Sequence, residues 1–218
     1  MLEENPDKEV HMKGKIDFKK EYKFLFSASA KETHMVEVPE FKYLMIDGKG
    51  DPNTVPEFAE KIQALYGLAY TMKFMLKLDP QTLDFVVPPL SGLWCAEDIT
   101  AFHEGRKNEY LWTLMIMQPD AVTPELLEKA KVKLTAKKDA PSCAGQARLE
   151  LLHEGAAVQI LHIGPYSAEG PTIARLHDFM KENGYTFNGR HHEIYLGDPR
   201  RSQPDKLKTI IRQPVKKA

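Results

Sequence analysis

The chain has 218 residues, 42% of them hydrophobic, and 30 Lys and Arg stand against 31 Asp and Glu. That length holds one large domain or two small ones with a sizeable core, and a formal charge of -1 supplies no electrostatic drive toward phosphate backbones or acidic membranes, so direct nucleic-acid binding is not expected. No apolar run reaches the roughly 20 residues of a membrane span, and the opening segment lacks an apolar run followed by a small-residue cleavage site, which points to a cytoplasmic protein. Cys95 and Cys143 are too few for a disulfide scaffold and form no C-x-x-C pair, so both read as reduced thiols.

Residues 1–36 are charged and weakly patterned, an N-terminal arm with at most a short strand. The apolar stretch Tyr43, Leu44, Met45, Ile46 predicts a strand that ends at D-G-K-G, residues 47–50. After Pro52 and Pro56 a helix is expected over 57–78. Phe58, Ile62, Leu65, Leu68, Ala69, Met72, Met75 and Leu76 recur along it at three- and four-residue spacing, and Asp79 and Pro80 stop it. Two strand signals follow, 83–94 and 109–117, joined by a polar stretch. Thr123 caps a connecting helix over 123–138, with Pro124 in its first turn. Then 157–163 reads as a strand broken at Gly164 and Pro165. Pro171 opens a helix with Ile173, Leu176, Phe179 and Met180 inward, stopped at Asn183 and Gly184. A strand over 191–196, a G-D-P-R-R turn and a last strand over 206–214 complete the chain.

The order strand, helix, strand, strand therefore occurs twice. Two short matches support duplication: M-I-M-Q-P at 115–119 against I-I-R-Q-P at 210–214, and a strand, glycine turn and proline-led helix at 43–58 against 158–173. A unit with one helix covers one face of its small sheet, so two units gain by joining. The expected architecture is a pseudo-twofold α+β domain over 37–218, with antiparallel sheets, helices on one face and a cleft between repeats. Repeat one spans about 37–120 and repeat two about 147–218. Ligand sites favour such junctions.

The strings F-V-V-P-P-L-S-G-L-W at 85–94, W-T-L-M-I-M-Q-P at 112–119, H-I-G-P-Y at 162–166, H-E-I-Y-L-G-D-P-R-R at 192–201 and K-L-K-T-I-I-R-Q-P-V at 206–215 resemble the GyrI-like small-molecule-binding family, over nearly the whole chain from Tyr43. The resemblance implies the duplicated fold and a ligand cleft between repeats. Some members of that family are effector domains of multidrug-sensing regulators, in which aromatic rings and a buried glutamate receive lipophilic cations. Some freestanding two-repeat members hydrolyse the strained cyclopropane of DNA-alkylating cyclopropanoid compounds. The resemblance carries the family glutamate to Glu193, its companion tyrosine to Tyr195 and the first-repeat tryptophan to Trp94. Close relatives tend to read P-L-E-G-x-W-W where this chain has P-L-S-G-L-W-C, so Ser91 stands in place of an acid and Cys95 in place of an aromatic. Glu97 and Glu109 are the nearby acids that would compensate.

Glu193 and Tyr195 are two apart on a strand and so project from one face. In an aromatic pocket the carboxylate serves as a counter-ion for a cation, supported by the faces of Trp94, Trp112, Tyr110 or Tyr166 at about 0.5 to 2 kcal/mol each, or as a general base that activates water. Tyr195 would then stabilise the developing phenolate. Phe85, Met115 and Ser91 complete the expected ligand lining. The plainer readings are a solvent-facing Glu193 balancing His191, His192 or Arg200, and core roles for both tryptophans. A metal site from His191, Glu193 and His162 or His177 is not expected, because no close His and Cys cluster accompanies them, and no cofactor is implied. Cys143 reads as a spectator thiol and the D-P-R-R turn as solvated. The sequence leaves three outcomes open: a cyclopropanoid hydrolase, a drug-binding module without turnover, or a protein partner of gyrase or of a separate regulator. A monomer or a homodimer would serve each.

Overall fold

The computed structural model describes residues 15–78, 84–98 and 100–218. In chain order these give β1 (Lys15–Ile16), α1 (Phe18–Glu21), β2 (His34–Val38), β3 (Phe41–Lys49), α2 (Pro56–Lys77), β4 (Asp84–Phe85), β5 (Ser91–Cys95), α3 (Thr100–Glu104), β6 (Leu111–Gln118), α4 (Pro124–Thr135), β7 (Arg148–Leu152), β8 (Gly155–Ile163), α5 (Gly170–Glu182), β9 (Tyr185–Phe187), β10 (His191–Tyr195) and β11 (Lys208–Lys217). The helix stop expected at Asp79 and Pro80 and the strand start expected at Leu83 lie outside the described residues, as does the first part of the N-terminal segment.

The strand expected over 83–94 divides in two. Between β4 and β5 run Pro88 and Pro89, which have no N–H to give a ladder, so pairing resumes only at Ser91. The connector helix starts as expected, with the Thr123 hydroxyl accepting the Leu126 N–H at 3.2 Å.

The main sheet runs β2-β8-β11-β10-β5-β6-β3-β7, and β9 pairs with the far end of β11. Its central six strands display the duplication. β8, β11 and β10 of the second unit mirror β3, β6 and β5 of the first, and the antiparallel pair β5–β10 forms the seam. Register fixes the faces: Glu193 lies across from Gly92 and Ile211, and Gly92 across from Leu114. Both long helices lie on this face. α2 packs on β3 and β6 over a core of Leu44, Ile46, Leu114 and Ile116, while α5 packs on β8, with Val158, Ile160 and Ile211 beneath Leu176 and Met180. β5 and β10 lie between them, with Trp94 buried at the edge of the α2 core and Tyr195 packed against it.

The opposite face is covered by the segment around α1. Its Phe18, Leu25 and Tyr22 pack with Val38, Phe41, Met45, Leu93 and Met115. Beneath it runs a buried polar network: Arg212 bonds the Leu25 carbonyl at 2.7 Å, Gln159 Oε1 at 3.0 Å and Glu154 at 3.2 Å, and His192 Nδ1 meets Glu154 at 2.9 Å. Burial pushes Glu154 up, but the His192 N–H and the Arg212 guanidinium overcome it and hold that carboxyl at about 2. His192 itself is pulled down, because desolvation of the imidazolium outweighs the attraction of Glu154.

Candidate functional site

Alternation along β10 sends His191, Glu193 and Tyr195 to the helix-bearing face, and along β5 it sends Trp94 there too. Gly92 makes the meeting possible. A Cβ at that position would come 3.1 Å from Trp94 Nε1 and 3.2 Å from Tyr195 Oη, so the missing side chain is what lets the indole and the phenol close over the strand beside Glu193. The Trp94 indole N–H donates to Tyr195 Oη at 3.1 Å, and the Tyr195 O–H donates to Glu193 Oε2 at 2.9 Å. His191 Nε2 lies 3.2 Å from Glu193 Oε1, and the Glu193 side chain is only 13% exposed. Burial, then the charge of Glu193, drives the Tyr195 phenol well above its usual range, so it is a proton donor throughout the physiological range.

The loop after β8 brings a second acid. Gly164 takes a positive φ of 139°, and its N–H is anchored to the Leu207 carbonyl at 3.0 Å. The chain then turns so that the Tyr166 ring meets Tyr195 edge-on, with centroids 5.6 Å apart. Glu169 follows at the start of α5, yet its side chain does not cap that helix. It is buried and engages the Glu193 carboxyl instead. Burial first, then the negative charge of Glu193 and the hydrogen bond between the two carboxyls, push Glu169 up to about 9; Thr209 offsets part of this. Raised this far, the Glu169 carboxyl favours its protonated form at neutral pH. Glu169 Oε1 receives no hydrogen bond.

Further rings close the site. Trp94 and Tyr110 stand 6.5 Å apart, and Phe102 lies 4.6 Å from Tyr110. Tyr110 is raised by burial, then by Asp51 and Glu193; Tyr166 is pushed up to about 12 by burial, then by Glu169 and Glu193. Glu193 therefore acts on both phenols.

The structure gathers five of the residues singled out in the sequence: Glu193, Tyr195, Trp94, Tyr166 and Tyr110. Trp112 is one strand further out and fully buried, its N–H on the Gly50 carbonyl at 3.2 Å and its ring, like that of Trp94, against Phe58. Phe85 is buried in the core under α2, with the Lys73 ammonium 5.4 Å from its ring. Ser91 and Met115 face the other way, toward the α1 segment, where the Ser91 hydroxyl reaches the Met115 carbonyl at 3.4 Å. Trp94 and Ser91 are three apart on one strand and so cannot share a face. Ser91 instead lines a cavity of about 10 Å³, large enough for one water, with Tyr43, His192 and Arg212. An acid at that position would meet His192 and Arg212 and not Glu193. Of the expected neighbours, His191 reaches Glu193, whereas His192 lies on the far face and Arg200 is held by Asp198 at 2.9 Å. Glu97 is exposed, and Glu109 sits 3.5 Å from Arg106. His162 bonds Thr172 and the Pro165 carbonyl. Among the described residues, no group of three His, Cys, Asp or Glu is arranged to hold a metal ion, and no helix is long and apolar enough to cross a membrane.

The model of the GyrI-like small molecule binding domain matches residues 31–216. The chain belongs to the GyrI-like family. Three crystal structures of proteins from Listeria innocua resemble this GyrI-like chain along its length: an uncharacterized conserved protein with 43% identity and a TM-score of 0.84, a hydrolase with 41% and 0.80, and a second hydrolase structure with 40% and 0.82. Each match covers 93% of this chain and 100% of the other. No curated protein matches it.

Glu169 is the residue that the sequence reading missed. Its signal lay in the continuation of H-I-G-P-Y to S-A-E-G-P, an acid placed ahead of a proline-led helix whose start faces the seam.

Proposed function

We propose that this GyrI-like chain captures a lipophilic, cationic or electrophilic small molecule above the β5–β10 seam and hydrolyses a strained cyclopropanoid ring with Glu193 as general base. The observation that carries this reading is the chain of hydrogen bonds from Trp94 through Tyr195 to a nearly enclosed Glu193. The likeness to a hydrolase at 41% identity supports a hydrolytic outcome over capture alone. Tyr166, 39% exposed, is the ring a ligand displaces on entry. The large hollow beside Tyr185 and Phe187, about 440 Å³ at the far end of α5, is away from the seam and has none of these groups.

The chemistry follows from the donors present. Glu193 takes a proton from water as the water oxygen bonds to a ring carbon. The strained C–C bond breaks, and its electron pair passes into the conjugated carbonyl, which becomes a phenolate. In the resting site the one Tyr195 proton is committed to Glu193 Oε2, so Tyr195 first fixes the orientation of the base. Once Glu193 is protonated it no longer needs that bond, and the Tyr195 O–H turns to the phenolate oxygen. Neither a metal nor a cofactor takes part in these steps. Every group in them comes from one chain.

The test is incubation with a cyclopropanoid alkylator, mass spectrometry of the product and Trp fluorescence as a binding signal. Wild-type protein yields the ring-opened product one water heavier, and Glu193→Gln binds but turns over about a hundred- to ten-thousand-fold more slowly. Affinity without product in the wild type would reduce the chain to a binding module. Turnover unaffected by the substitution would remove Glu193 from the chemistry.

A further inference from the structure

β7 ends the main sheet. Its inner edge pairs with β3 from Arg148 to Leu152, and among the described residues no strand pairs with its outer edge. A strand edge without a neighbour presents a row of backbone N–H and C=O groups, which is a template for another strand. No proline interrupts the five residues R-L-E-L-L. Alternation sorts their side chains. Arg148 and Glu150, opposite Met45 and Tyr43, take the α1 face, where Arg148 bonds Glu150 and Asp47 at 2.8 Å each. Leu149 and Leu151, opposite Leu44 and Lys42, take the face that carries α2, and Leu151 is 57% exposed.

We propose that the outer edge of β7 is an interaction surface whose partner is a second copy of this chain, paired antiparallel across a twofold axis. This is independent of the capture reading. The strand selects its own register. The axis stands perpendicular to the sheet and keeps every side chain on its face, so a residue lies opposite either itself or one an even number of places away. Placing Arg148 opposite Arg148, or Glu150 opposite Glu150, sets like charges directly across the ladder. Placing Leu149 opposite Leu149 sets Arg148 of each copy across from Glu150 of the other. Charge complementarity then occurs twice on the α1 face, and the leucines of both copies meet on the α2 face. At the other end of the sheet β2, H-M-V-E-V, has no Lys or Arg to set opposite Glu37, so that edge lacks the same match. Five residues from each copy form a contact smaller than the roughly 1,200 Å² at which standard interfaces begin, so the pairing depends on concentration. Both β5–β10 seams open on the same side of the joined sheet.

Sedimentation equilibrium of the full chain between about 10 μM and about 1 mM tests the pairing, and the wild-type mass should rise from one chain toward two. Glu150→Arg and Arg148→Glu each set like charges across the ladder, so each alone should weaken association by about tenfold. An equimolar mixture of the two variants should associate, because every Arg then faces a Glu. Hydrogen exchange reads the same contact without a substitution: the amides of 148–152 in the wild type should exchange more slowly at the higher concentration, and those of β2 should not change. A single-chain mass at every concentration would overturn the proposal. So would association that persists in Glu150→Arg, concentration-dependent protection confined to another edge or face, or a mixture of folded variants that fails to associate.

Discussion

His192 and Glu193 are consecutive on β10 and look out on opposite faces of the sheet, each toward a buried glutamate. On the α1 side Glu154 has Arg212 and His192 as partners and is held at about 2; on the helix side Glu169 has another carboxyl and is pushed up to about 9. Burial is similar, with 7% of Glu154 and 6% of Glu169 exposed, so burial does not decide the outcome. Partners decide it. The first cluster has its charges matched within the chain and ties down the covering segment through the Leu25 and Phe24 carbonyls. The second has an acid in excess, an oxygen without a donor and a wall of rings. The first is the composition of a structural network, and the second brings two acids together among rings without an Arg beside them.

The strongest way to break this contrast is Glu154→Ala, which leaves Arg212 buried without its carboxylate. We expect a loss of about 3–5 kcal/mol, measured by urea unfolding. A loss below about 1 kcal/mol would mean that the network carries no structural burden. Gly92→Ala attacks the other side. Its Cβ must displace the Trp94 and Tyr195 tips, which are locked in hydrogen bonds, at a cost of about 1–3 kcal/mol together with weakened ligand binding. Unchanged thermal stability and affinity would show that those rings move aside freely.

The two faces also differ in the sign of their pH dependence. Glu169 has a folded value near 9 against 4.5 for an ordinary glutamate, so between those values the folded chain keeps a proton that the unfolded chain releases. Stability from this group is therefore lost as pH rises from about 4.5 to 9, by at most about 1.4 kcal/mol per unit. Glu154, held at about 2, has the reverse sign: its contribution is present above 4.5 and lost as pH falls toward 2. His192, pulled below its usual 6.5, adds to the loss on acidification, because the unfolded imidazole takes up a proton that the folded one refuses. Urea titrations of wild type and Glu169→Gln at pH 6 to 9 should diverge with rising pH, the variant becoming the more stable; parallel curves would show that Glu169 is not a proton-retaining acid. The smallest effect is expected for Trp94→Phe, which removes one donor to Tyr195. It should cost about 0.5–1.5 kcal/mol in stability, with a larger proportional loss in turnover than in binding.

Much of the fold was legible because duplication repeats its own punctuation: glycine turns, proline-led helices and the Q-P pairs at 118–119 and 213–214, although the last strand runs past Pro214 to Lys217. β7, R-L-E-L-L, escaped notice because it is a half-exposed edge strand that pairs with β3, about a hundred residues earlier. α3 is five residues within a polar stretch and too short to show a period. In the site, the family resemblance singled out Glu193 and Tyr195, and their two-residue spacing placed them on one face. The same parity separates Ser91 from Trp94, so its assignment to the cleft came from treating a motif as one surface. Trp112 and Phe85 show the other limit, since an aromatic on a strand does not announce whether a helix or a ligand covers it. The Glu169 contact depends on how the start of α5 closes over β10, a distance in space that no local pattern encodes.

The most direct measurement is a crystal structure of Glu193→Gln soaked with an intact cyclopropanoid, a variant chosen so that the ligand persists. The account expects the strained ring over Gly92, between Trp94, Tyr166 and Tyr195, within reach of the substituted side chain. Ligand density under Leu25 on the opposite face, or in the hollow beside Tyr185 and Phe187, would contradict it.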